Sequence, residues 1–148
     1  MERVLPPDFR EFLHLLHAHG VEYLVIGAYA VGYHGYPRAT PGLDIWIARN
    51  SDNAERMVVV MAEFGFDRFE LSTSMFLHDK NIVEIGKPPL CIKVMTTISG
   101  VSFDECYAER TVDIIDEMEV NFISLKHLKI NKKASGSYKD LNDLENLP

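Results

Sequence analysis

Two cysteines in 148 residues are too few for a disulfide-built scaffold. Cys91 and Cys106 also match no CxxC or zinc spacing, so both are expected to be reduced, buried thiols. Long apolar runs are missing as well. No stretch of about 18 apolar residues occurs, and a membrane-spanning helix is therefore not expected. The opening segment, MERVLPPDFREF, lacks the apolar core of a secretory signal, and the expected location is cytoplasmic. Positive charge is in short supply: 15 basic residues face 22 acidic ones, for a net charge of −7. Such a surface disfavours extended nucleic-acid binding, where phosphate neutralisation supplies most of the affinity. It leaves room for a small basic pocket. There is no internal repeat and no low-complexity tract.

What is there suffices for a core. Hydrophobic residues make up 47% of the chain and charged residues 25%. The length favours one compact domain over residues 1–148, with a helical C-terminal segment from about 124 to 148. The stretch VEYLVIGAYAVGYHGYPRATPGLDIWIA, residues 21–48, organises the rest. It reads as strand, tight turn, short helix, loop and second strand. The first strand covers Tyr23 to Ile26, Gly27 makes the turn, and Ala28 to His34 form the helix, whose exposed N–H groups suit an anion. The loop is broken by two prolines and two glycines. The second strand, Leu43 to Ala48, puts Leu43, Ile45 and Ile47 on one face and Gly42, Asp44 and Trp46 on the other.

Upstream, Pro6, Pro7 and Asp8 are expected to start a helix, with Asp8 as its cap and Phe9, Phe12, Leu13, Leu15 and Leu16 on its apolar side. His14 and His17 stand one turn apart, but no third metal ligand matches them, and they read as a solvated helix face. Asp52 is expected to cap a helix ending at Gly65, and residues 66–78 read as loop with a short strand. Ile82 to Ile85 and Cys91 to Met95 are expected to pair as a hairpin. Ser102 to Arg110 reads as a short helix. Val112 to Ile115 and Val120 to Ile123 form a second hairpin around Asp116 and Glu117. Ser124 caps a helix, and a final helix follows the break at residues 135–137. The fold class is α/β, or α+β in looser usage, with a mixed sheet flanked by helices.

Several segments carry a family resemblance: YLVIGAYAVGYHGYPRAT (residues 23–40), LDIWI (43–47), IGKPP (85–89), ISGVSFDE (98–105) and ISLKHLKINKKASGSYKDLNDL (123–144). In that order they resemble the small bacterial nucleotidyltransferase-fold proteins of the abortive-infection and toxin–antitoxin type. The resemblance implies a nucleoside triphosphate bound with Mg2+ or Mn2+. In active relatives a Gly-Gly or Gly-Ser turn contacts phosphate, and an Asp-x-Asp strand plus a third carboxylate holds the metal. Alternate strand residues face the same way, so two such carboxylates can grip a metal that bridges the triphosphate.

This chain departs from that set. Gly27 matches the turn glycine, with Ala28 in the second position. Asp44 matches the second Asp, but Gly42 stands where the first belongs and Lys93 where the third carboxylate belongs. Asp44 is thus the residual acid and a weak metal ligand. An ion pair between Asp44 and Lys93 is expected to take the metal's place. Glu84 is the nearest substitute carboxylate, and alternation across the hairpin is expected to turn it to the other face. By resemblance, Arg38, Thr40, Lys132, Lys133 and Lys139 are candidate phosphate contacts. Three functions follow: a catalytically impaired, nucleotide-binding homologue; an active nucleotidyltransferase acting on a protein, RNA or small-molecule hydroxyl; or a non-enzymatic protein partner in a toxin–antitoxin or phage-defence system.

Overall fold

The computed structural model describes residues 5–37, 42–87 and 90–148. A six-stranded mixed sheet runs through it in the order β3-β4-β2-β1-β6-β5. Its strands are β1 (Tyr23–Ile26), β2 (Gly42–Ile47), β3 (Ile82–Lys87), β4 (Leu90–Met95), β5 (Thr111–Ile115) and β6 (Met118–Phe122). The helices are α1 (Pro7–Ala18), α2 (Gly27–Tyr33), α3 (Ser51–Phe64), α4 (Phe103–Ala108), α5 (Leu125–Ser135) and α6 (Tyr138–Asn146). β1 pairs antiparallel with β2 and parallel with β6, and β2 pairs parallel with β4. The two hairpins, β3–β4 and β5–β6, close the edges. Among the described residues, no helix is long and apolar enough to cross a membrane.

The centre of the sheet is buried because β1 is apolar throughout, and all four of its residues are inaccessible. Phe9, Phe12, Leu13 and Leu16 of α1 pack into the core together with Met57, Val60 and Met61 of α3. Cys91 and Cys106 are free and buried, as their apolar neighbourhoods require. Burial pushes the Cys106 thiol up to about 11. His14 and His17 lie exposed on α1.

Local details correct the sequence reading. Pro6, not Asp8, is the cap residue of α1, and Asp8 lies in the first turn beside the helix dipole. Asn50, not Asp52, caps α3 by accepting the Asn53 N–H. The stretch after α3 holds no strand but two 3-10 turns, Arg68–Glu70 and Thr73–Phe76. Its short apolar runs bury one ring, Phe76, while Phe69 points to solvent.

Candidate functional site

Gly27 opens α2 with φ +65°, in the left-handed region that favours glycine. A Cβ at this position would collide with the Asp44 carboxylate. The glycine thus lets the β1–α2 turn pass directly against the acid. Ala28 follows it, buried on α2. Gly42, two residues before Asp44, is fitted closely too, though less so: an added Cβ would lie 3.0 Å from the Cys91 carbonyl oxygen on β4.

Asp44 is the register partner of Ile26 on one side and of Lys93 on the other. Lys93 is in turn the register partner of Glu84. Directly paired residues project from the same face of a sheet. Asp44, Lys93 and Glu84 therefore form one row across three strands. This corrects the expectation that Glu84 faces the other way: the antiparallel β3–β4 register places it directly opposite Lys93. The Lys93 Nζ lies 4.0 Å from Glu84 Oε1. Lys93 also pulls electrostatically on Asp44. The lysine is thus shared between a contact partner and a more deeply set acid.

Burial pushes the Asp44 carboxyl above the usual carboxylate range. Lys93, Lys139 and Lys132 oppose that rise, and Asp140 adds to it. Three cations from separate elements thus act on one half-buried acid. Lys139 lies exposed on α6. Lys133 is exposed on α5 and is not among the charges that act on Asp44. Arg38 and Thr40 lie outside the described residues.

Lys132, a candidate phosphate contact by resemblance, is instead held in a buried ion cluster. It is 4% exposed, and its Nζ lies 2.8 Å from Asp140 Oδ1 and 3.2 Å from Asp143 Oδ2. Asp143 is buried as well. The Ser135 hydroxyl donates to Asp140, and the Ser137 hydroxyl accepts the Asp140 N–H. Burial alone would raise the Asp140 carboxyl, but hydrogen bonds from Lys132 and Ser135 and the lysine's charge bring it below the usual range. Sequence reasoning missed this cluster. Its only signal was two acids three residues apart on α6, the spacing that puts both on one helix face.

These residues do not fit a divalent metal. Magnesium at such a site takes one or two carboxylates together with phosphates and waters. Here Asp44 is pushed toward its neutral form, and the ammonium of Lys93 stands between it and Glu84 in the row. Among the described residues, no three His, Cys, Asp or Glu side chains converge to hold an ion.

No family profile matches the sequence, and no curated protein does. Solved structures do match. A protein from Thermotoga maritima, described as a candidate nucleotidyltransferase, superposes with a TM-score of 0.61 at 15% identity, over 97% of this chain and 90% of its own. An antigenic nucleotidyltransferase-like protein from Paracoccidioides brasiliensis superposes with a TM-score of 0.53 at 16% identity, over 94% of this chain and 73% of its own. At these identities the likeness is one of architecture, and it agrees with the helix-flanked mixed sheet described above: the chain has a nucleotidyltransferase-like α/β fold.

Proposed function

We propose that this protein binds the triphosphate of a nucleoside triphosphate beside Gly27 and Asp44 without using a divalent metal, and that it is impaired in nucleotidyl transfer. The observation that carries this reading is the row Asp44–Lys93–Glu84. An ammonium stands among the groups where metal-bridged transfer would need carboxylates. Lys93 and the exposed Lys139 both act on Asp44, apart from the lysine held in the Asp140–Asp143 cluster. A polyanion there gains from fixed cations what a metal would otherwise supply. In-line displacement loses the ions that steady the attacking and leaving oxygens.

A thermal-shift titration with ATP, GTP, CTP and UTP, each with and without Mg2+ or Mn2+, tests the proposal. At ~100 times its dissociation constant, a one-site ligand stabilises its protein by about 2.7 kcal/mol. The expected result is stabilisation without metal that Lys93→Ala weakens. Asp44→Ala is expected to preserve or strengthen it, because the variant removes a negative charge facing phosphate. Stabilisation that requires metal, with transfer of labelled nucleotide abolished by Asp44→Ala, would instead establish an active enzyme. No shift under any condition would overturn nucleotide binding and favour an interaction role. For that role the stretch offers Phe69, 99% exposed, whereas Phe76 is fully buried.

A further inference from the structure

One side of the sheet ends at β5, which pairs with β6 and has an outer edge with no neighbouring strand among the described residues. The β5–β6 turn holds Asp116 and Glu117 at φ 50° and 64°, the geometry of a two-residue type I′ hairpin. Ile115 and Met118 flank that turn, so this pair exchanges both of its backbone hydrogen bonds. By alternation, Thr111 and Asp113 also turn their N–H and C=O groups toward β6, and Val112 and Ile114 turn theirs outward. Two contacts agree with this. The Ile114 N–H donates to the side chain of its own neighbour, Asp113 Oδ1, at 2.7 Å. Across the hairpin, the Ile123 N–H donates to Val25 of β1.

The side chains add to the open backbone. Val112 is 47% exposed and Ile114 59%, and the two project from one face. Around them the chain is acidic: residues 113–119, DIIDEME, hold Asp113, Asp116, Glu117 and Glu119 and no base. Glu119 is the register partner of Ile114, so an exposed carboxylate stands beside the aliphatic pair. The nearest base along the chain, Arg110, lies over the Tyr107 ring and donates to the Tyr107 carbonyl.

An open edge is a template for another strand. A second copy of β5 fits it badly. The register that sets Val112 against Ile114 of the copy also sets Asp113 against Asp113, and like charges directly opposite are destabilising. A strand that alternates aliphatic and basic residues matches both faces. We propose that β5 is a docking edge for an extended segment of another protein in which aliphatic residues alternate with lysine or arginine, added antiparallel to the sheet. Its aliphatic side chains lie against Val112 and Ile114, and its bases meet the acids of the hairpin. Docking transfers the Asp113 carboxylate from the Ile114 N–H to a base and opens that N–H to the incoming carbonyl.

The probe is a fluorescein-labelled peptide, KVKIKVK, followed by anisotropy and checked by calorimetry. Saturable binding in the micromolar range is expected. Two control peptides separate strand pairing from plain charge attraction: KKVIVKK, which has the same composition without the alternation, and KVKIKVK N-methylated at its three aliphatic residues. Each is expected to bind at least about tenfold more weakly. Val112→Thr combined with Ile114→Thr keeps β-branched residues at exposed positions, so this variant is expected to fold and to lose about tenfold in affinity. Glu117→Gln combined with Glu119→Gln is expected to lose about threefold. Absence of saturable binding overturns the proposal, as does equal affinity for either control peptide or affinity unchanged in the double threonine variant. Sedimentation of the protein alone supplies the last check: a dimer that Ile114→Thr disperses would overturn the proposal in favour of a second copy.

Discussion

Two lysines define two regions of this molecule, and they are used in opposite ways. Lys132 is locked between Asp140 and Asp143 with almost no access to water. Lys93 stands in an open row with Asp44 and Glu84, and its one ion-pair contact among the described residues is at 4.0 Å. Charge type is the same in both; surroundings differ. Where solvent is excluded, each charge must have a partner, and the cluster holds α5 to α6. Where solvent reaches the lysine, its contact is weak, and the charge stays available to a ligand.

Breaking the buried side should have the largest effect. Lys132→Met removes the cation shared by Asp140 and Asp143 from a buried cluster, and a loss of about 3–5 kcal/mol in denaturant unfolding is expected. A pH series sharpens the point. The native Asp140 carboxyl titrates below its unfolded value, so its contribution is full above the usual carboxylate range. That contribution is lost as pH falls toward the depressed native value, and Lys132→Met should flatten this acid limb. Asp44 works with the reverse sign: its raised carboxyl favours the native state at low pH, and this is lost as pH climbs past the usual range.

Gly27→Ala comes next. It places a Cβ at positive φ and against the Asp44 carboxylate, so a loss of about 1–3 kcal/mol is expected in the same unfolding measurement. The smallest effect belongs to the open row. Glu84→Gln should change stability by less than about 0.5 kcal/mol, since its contact is long and solvated. The same variant frees Lys93 and should tighten ATP in the thermal-shift titration. A large loss of stability in Glu84→Gln would erase the contrast between the two lysines.

Much of the architecture could be read from periodicity and turn chemistry. β1, both hairpins, the Asp116–Glu117 turn and the Ser124 cap are local signals, and each is found in place. The cap of α3 was misplaced because Asn50, Ser51 and Asp52 compete within one turn, and only geometry picks the one that accepts the N–H. α1 begins after Pro6 with no side-chain cap hydrogen bond, so there was no capping group to find. The candidate site was legible by halves. Alternation put Gly42 and Asp44 together within one strand. It could not place Glu84, because the facing of residues on neighbouring strands depends on the hairpin register. The burial of Lys132 was hidden for a related reason: its partners lie on the next helix, and a lysine in a helical segment looks solvated until the helices are packed.

The closeness of β4 to Gly42 sets a threshold for any larger residue there. With the Cys91 carbonyl 3.0 Å from where a Cβ would sit, a side chain at this position requires its neighbour to give by a few tenths of an ångström. An aspartate installed there by mutation thus meets a packing cost before it can hold anything. Building a second carboxylate beside Asp44 means relieving that contact as well as supplying the charge.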